Sequence, residues 1–248
     1  MASMGSRWKI GLGALPIISA LVATQAVASP EPRAVLELFV SQGCSACRTA
    51  NQLMPEWEQE QNLIVLSFPV NYWDYLGWKD TLAHPLFGER QRGYALLRGD
   101  RQIYTPQMVI NGVLSCIGSA RDQVAKRVES ATAVHPILPV PLALKEENGM
   151  ILVDIGRGSD DAGVWLVPVR RLSQVAIQRG ENAGRTETYT NVARGLYHLG
   201  TWTGSPARFE MSRKTIQAQD ADSYVILLQK VKDGKPGPIL GAVKGPGL

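Results

Sequence analysis

The chain has 248 residues and a mass of 27.0 kDa, with 45% hydrophobic and 19% charged residues. That composition belongs to a packed globular protein of one large domain or two small ones, and it excludes a disordered chain. Three cysteines exclude a cysteine-dense scaffold, no apolar run reaches the ~18 residues of a confident membrane helix, and a formal charge of +4 without a basic block argues against nucleic-acid binding.

The first residues carry Arg7 and Lys9, then a mostly apolar or small stretch from Ile10 to Ala23 interrupted by Pro16, then Ala26-Val27-Ala28. A basic start, a short apolar core and a small-x-small triplet predict a signal peptide over 1–28, cleaved after Ala28. The apolar stretch is too short to span a bilayer, so no stable membrane insertion is expected after cleavage. The expected location is periplasmic or secreted, where disulfides form and persist. Loss of Arg7 and Lys9 takes the 26 basic residues to 24 against 22 acidic ones, a charge of +2.

Residues 34–40 read as a buried strand, broken by Ser41-Gln42-Gly43. Residues 44–60 have helical spacing of Leu53, Met54 and Trp57, and 63–70 form a second buried strand. A strand, helix and strand in that order predict a parallel βαβ unit. The polar and aromatic stretch 71–82 leads to a helix at 85–97 and a third strand at 107–111. Asn111-Gly112 is a hairpin-turn signal, returning through 113–117 to a helix at 120–133.

Pro136, Pro139 and Pro141 mark a boundary, so 29–135 is expected as an N-terminal domain and 136–248 as a C-terminal one. Beyond it, short runs at 139–145, 150–155, 163–169, 172–178, 206–211, 223–231 and 238–243 alternate or are β-branched, and turn residues separate them. That pattern predicts a mostly antiparallel, β-sandwich-like domain.

Chemistry concentrates at Cys44-Ser45-Ala46-Cys47, at a strand–helix junction. Two cysteines at i and i+3 can close a small disulfide. A helix N-terminus favours the thiolate form of Cys44, and the thiolate is the nucleophile. Cys47, one turn in, is the expected resolving thiol. Some sixty residues on, Tyr104-Thr105-Pro106-Gln107 precedes the third strand. A proline there is best explained as a cis-Pro turn at the start of that strand.

These motifs resemble the thioredoxin superfamily over residues 34–133. More closely, the chain is similar to an uncharacterised, exported bacterial family described as a domain of unknown function with a thioredoxin-like fold. The resemblance rests on Glu37 to Cys47, on Asn71 to Asp80, on Tyr104 to Val109, and in the second domain on Arg179-Gly180-Glu181-Asn182 and Tyr189 to Arg194. It implies that Pro106 packs against the CxxC and that Thr105 offers its backbone to an extended substrate. It implies a buried acid on the first strand, for which Glu37 is the candidate, although Glu37 lies one residue further from the cysteines than is usual. Arg48, Pro69 and Asn71 depart from the residues common in relatives.

Tyr72, Trp73 and Trp78, with Tyr104, are candidate substrate contacts, or else the aromatic stretch pins an inserted loop to the core. Cys116 is the odd thiol, expected as a buried hydrophobe. No cofactor or metal ligand set is predicted. Zinc would need Cys116 and one of His84, His135 or His198, with no ligand spacing to support it. Copper could draw on both thiolates with Met54 or Met108. The expected function is that of a thiol–disulfide oxidoreductase or redox sensor acting on protein or small-molecule thiols and disulfides. The alternative is a non-catalytic binding protein on the same scaffold, with copper as a candidate cargo.

Overall fold

The computed structural model describes residues 31–100, 102–133 and 138–248. The expected signal peptide and its cleavage site, together with His135 and Pro136 of the expected boundary, lie outside the described residues.

Strands β1 (Ala34–Val40) and β2 (Leu63–Pro69) are buried along their whole length and pair in parallel, joined by α1 (Cys47–Glu58). Strand β3 (Gln107–Ile110) runs antiparallel to β1 on its other side, with Leu38 opposite Met108. Strand β4 (Leu114–Ile117) returns beside β3 through Asn111 and Gly112. Both turn residues have positive φ, 50° and 72°, which matches the preference for Asn-Gly in tight hairpins. Helix α2 (Pro85–Arg98) starts on Pro85 behind a His84 cap and stops at Gly99, whose φ of 77° ends the helix. Helix α3 (Arg121–Ala133) follows β4.

Side chains alternate along β1. Leu36, Leu38 and Val40 join the core shared with α1 and α3. Val35 and Phe39 join the core beneath α2, where Phe39 stacks on Phe68 with ring centroids 5.5 Å apart.

The C-terminal half differs from expectation. Its strands are β5 (Leu142–Glu147), β6 (Met150–Ile155), β7 (Ala162–Ile177), β8 (Arg185–Ala193), β9 (Tyr197–Trp202), β10 (Ala207–Ser212), β11 (Ser223–Lys232) and β12 (Lys235–Lys244). The runs expected as two strands, 163–169 and 172–178, are one strand, β7. It is long enough to pair with β11 and β9 through its first half and with β8 through its second. Neither β8 nor β9 was expected, because their polar and aromatic residues do not alternate cleanly.

These strands stack as two sheets, but the larger sheet is not confined to the C-terminal half. β8 joins β2 in parallel at Ser67 and Val192, and the Ser67 hydroxyl donates to the Thr190 carbonyl at 2.7 Å. Among the described residues, one mixed sheet therefore runs β12-β11-β7-β8-β2-β1-β3-β4, with β9 also on β7. Apart from the β1–β2 and β2–β8 pairs it is antiparallel. A second sheet, β10-β6-β5, covers β7, β11 and β12 through a core that includes Ile151, Val153, Val164, Leu166, Ile226 and Leu228. The fold is mixed α/β around a large, mostly antiparallel sheet. A short helix, α4 (Lys214–Gln217), lies between β10 and β11.

Candidate functional site

Cys44 and Cys47 are joined by a disulfide, with Cα atoms 5.4 Å apart, inside the range a bridge requires. The Cys44 amide donates to the Ser41 carbonyl at 3.1 Å, and the Cys47 amide to the Cys44 carbonyl at 3.2 Å. The turn thus places Cys44 ahead of the helix and Cys47 at its first residue. Helix α1 begins at Cys47, so Cys44 lies in the turn ahead of it and not on the first helical turn. Both cysteines are covered, at 3% and 1% exposure, while Ser45 and Ala46 between them are exposed.

The Thr105–Pro106 peptide bond is cis. Trp73 ties this turn to the disulfide turn. Its indole Nε1 donates to Thr105 Oγ1 at 2.8 Å, and its Cβ and carbonyl lie against Gly43. A Cβ on Gly43 would stand 3.1 Å from the Trp73 Cβ, so a larger residue there requires Trp73 to give way. Tyr72 donates to Gln91 Oε1 at 3.2 Å, and Gln91 Nε2 donates to the Tyr104 carbonyl and to Gln107. Burial pushes the Tyr72 phenol up to about 12. Trp78 Nε1 donates to Gln42 Oε1 at 2.8 Å. Tyr72, Trp73 and Trp78 are thus half-buried and held by specific hydrogen bonds, whereas Tyr104 is exposed.

The family model for a protein of unknown function, DUF1223, matches residues 35–229. The chain belongs to the DUF1223 family. It is similar to the crystal structure of protein AGR_C_4864 from Agrobacterium tumefaciens, with 29% identity, a TM-score of 0.80 and coverage of 89% of this chain and 97% of that one. HBP35 of Porphyromonas gingivalis shares the fold at 10% identity and a TM-score of 0.55, over 86% of this chain and 74% of that one. No curated protein matches the chain.

In this DUF1223 protein Glu37 does not stand beside the thiols, and its expected part in the dithiol chemistry is corrected on that ground. It is fully buried on the α2 face of the sheet, opposite the face that carries the cysteines. There Arg90 Nη2 donates to its Oε1 at 2.5 Å and to the Tyr94 hydroxyl at 2.7 Å. The reason is parity. Even-numbered residues of β1 face the cysteine layer and odd-numbered ones face α2. The extra residue between Glu37 and Cys44 is not absorbed by the turn at Gly43.

Another acid lies close to the disulfide turn. Asp80 is 3% exposed. Its Oδ2 accepts from the Gln42 amide at 2.7 Å and its Oδ1 from the Leu82 amide at 2.9 Å. Burial, with Asp74 nearby, pushes its carboxyl up to about 6. Gln42 is the junction. Its carbonyl accepts from Asn182 Nδ2 at 2.9 Å, and its side chain accepts from Trp78 and from the Thr81 amide. Arg48, the residue after Cys47, pairs with Glu187 of β8 at 3.3 Å. Asp80, Gln42 and Asn182 all lie inside the motifs quoted for the family resemblance, so the sequence contained the signal. What it lacked was their common location.

Cys116 is free and buried on β4, opposite Met108, and burial pushes its thiol up to about 11. Met54, Met108 and Cys116 share the core layer of the disulfide. Among the described residues no group of three or more His, Cys, Asp or Glu side chains is placed to hold a metal. A cavity of about 790 Å³ lies between α2, β7, β9 and the β11–β12 turn, lined by Leu86, Leu96, Trp165, His198 and Val231 among others, and no residue of the disulfide site lines it.

Proposed function

We propose that this DUF1223 protein is an exported thiol–disulfide oxidoreductase or redox sensor, built on a thioredoxin-like N-terminal unit. The observation that carries the reading is the Cys44–Cys47 disulfide ahead of α1, linked through Trp73 to the cis Thr105–Pro106 turn. The order β2-β1-β3-β4, with α1 crossing between parallel strands, supports the thioredoxin-like assignment.

In the reduced protein the Cys44 thiolate attacks one sulfur of a substrate disulfide. The S–S bond breaks, the departing sulfur leaves as a thiolate and takes a proton, and a mixed disulfide remains. The Cys47 thiolate then attacks Cys44 Sγ and releases the second substrate thiol. Two electrons pass from the dithiol to the substrate, and the Cys44–Cys47 bond forms. Thr105 and Pro106 position the substrate backbone, with Tyr104 at the exposed rim. Arg7, Lys9 and the Ala26-Val27-Ala28 triplet support export.

The deciding measurement is the reduction potential of the Cys44–Cys47 pair in glutathione or dithiothreitol buffers. A reversible couple between about −120 and −270 mV is expected, the range of catalytic dithiols. Cys44→Ser is expected to abolish exchange. Unchanged exchange in that variant overturns the reading.

The near-complete cover of both cysteines favours a second reading, a binding protein with a permanent disulfide. It predicts a potential below about −300 mV.

A further inference from the structure

The cavity beside α2 lies apart from the disulfide site and has a wall of its own on each side. Helix α2 gives it Leu86, Arg90, Gly93 and Leu96, one stripe at helical spacing, while Phe87, Gln91 and Tyr94 on the next stripe round are buried. The sheet opposite gives it Gly163 and Trp165 of β7, His198 of β9, and Gln229 and Val231 of β11. The Trp165 and His198 rings lie 4.9 Å apart. Gly163 pairs with Gln229, and a Cβ on it would stand 2.6 Å from Trp165 Nε1, so the missing side chain leaves that space to the indole.

Eight large hydrophobic side chains are exposed among the described residues, and three of them, Leu86, Leu96 and Val231, line this one cavity. Single exposed hydrophobics need no explanation, but a cluster of them around a cavity marks a binding surface. A volume of about 790 Å³ is the size of a small-molecule site.

The polar part of the wall is small and fixed. Arg90, 6% exposed, is the one charged lining residue that is buried. Its Nε and Nη2 donate to Glu37, and Nη2 donates to the Tyr94 hydroxyl as well. Tyr94 also accepts from Gln229 Nε2, which holds the group in place. Arg90 Nη1 has no acceptor among the described residues and is not sealed off from water. The lining charges balance. Glu37 neutralises Arg90, and Arg92 and Lys235 stand against Glu89 and Asp161. The wall therefore offers a fixed N–H group and no net charge to match an ion.

We propose that this cavity is a binding site for an uncharged small molecule with an apolar body and a carbonyl oxygen. The oxygen accepts from Arg90 Nη1, and the body lies against Trp165, Leu86, Leu96 and Val231. An ion entering here gives up its hydration and meets no opposite charge that is not already matched. The apolar body instead takes exposed hydrocarbon out of water. The site does not rest on the dithiol reading, since no residue of the disulfide site lines it.

The test uses the full-length oxidised protein and prodan, an uncharged naphthyl ketone whose fluorescence shifts to the blue on leaving water. Saturable binding at one equivalent is expected. Competitors of one shape, all substituted at the same ring carbon, then separate the chemistry: acetylnaphthalene is the ketone, naphthoate the anion and naphthylmethylammonium the cation. The ketone is expected to displace prodan at concentrations about tenfold or more below either ion. Isopropylnaphthalene replaces the carbonyl by hydrocarbon. With each affinity divided by the partition from water into cyclohexane, which donates no hydrogen bond, the ketone is expected to lead the hydrocarbon by about tenfold or more. Leu96→Gln is expected to weaken prodan binding about three- to tenfold. Leu172→Gln, at a leucine equally exposed (65% against 63%) but outside the cavity, is expected to leave it unchanged. Both substitutions are on the surface, where such changes leave the fold intact. Absence of saturable binding, the same effect from the two leucine variants, or an ion that competes as well as the ketone overturns the proposal. Equal normalised affinities of ketone and hydrocarbon overturn the part given to Arg90. The variant with both Cys44→Ser and Cys47→Ser is expected to bind prodan as the wild type does, so failure of this site and failure of the oxidoreductase reading are told apart.

Discussion

Glu37 and Arg90 form a charge pair at 2.5 Å, with side chains 0% and 5% exposed, on the face of the sheet away from the disulfide. Arg90 also donates to Tyr94, whose hydroxyl accepts from Gln229 of β11 at 2.7 Å. The pair therefore fastens β1 to α2 and, through Tyr94, to the C-terminal half. Removing one partner of a buried pair leaves the other charge uncompensated. Arg90→Met is expected to lower unfolding stability by about 3–5 kcal/mol in urea titrations. The potential of the Cys44–Cys47 couple should stay within about 20 mV of wild type, since 30 mV corresponds to only about 1.4 kcal/mol. A large change in potential would mean that Glu37 acts on the thiols after all.

Cys116 shares a core layer with the disulfide but is covered, and its thiol is pushed up to about 11. Iodoacetamide at pH 8 is expected to leave it unmodified in the folded oxidised protein and to label it fully in denaturant. Cys116→Ala should retain the Cys44–Cys47 couple. Rapid labelling of the native protein would instead mark Cys116 as a working thiol.

Asp80 also acts on global stability. Its folded carboxyl lies above the usual 3.8, at about 6, so the folded chain holds the proton that the unfolded chain has lost between those values. Stability from this group is present below about pH 4 and is lost as pH rises through 6. Asp80→Asn is expected to be more stable than wild type at pH 7, by about 1–3 kcal/mol, with the advantage fading by pH 4. Melting curves of both proteins at the two pH values check this. An advantage that grows in acid would reverse the sign.

Gly112 holds the β3–β4 hairpin against the C-terminal strands. Its φ is 72°, and a Cβ there would stand 2.3 Å from the Gly237 carbonyl oxygen. Backbone on the far side cannot swing away as a flexible side chain can. Gly112→Ala is expected to cost about 1–3 kcal/mol in urea unfolding. A neutral result would mean that the hairpin and β12 separate without penalty.

The local features could be read from the chain. The buried runs that become β1 and β2 are continuous apolar segments. The cysteines follow a strand break, Asn111-Gly112 supplies the turn, and Thr105-Pro106 sits where only a special backbone fits. Each depends on residues within a few positions of one another, and each is present. The long-range relations were not legible. Glu37 looks like a partner for the thiols until the parity of β1 assigns it to the other face. Asp80, Gln42 and Asn182 each occur in a separate quoted motif, but nothing in their spacing says that they meet.

The composition and the short motifs determined by themselves that this is a packed α/β protein with a CxxC at a strand–helix junction, spaced so that it can close a disulfide. Only the tertiary structure decided that the C-terminal strands extend the same sheet through Ser67 and Val192, and that Trp73, Trp78 and Asp80 gather on the turn at Gln42 and Gly43. The physical reason is range. Turns, helix ends and strand runs are set by local backbone sterics and side-chain periodicity. Sheet order is set by which buried faces meet between distant parts of the chain, and the separate segments carry no record of that pairing.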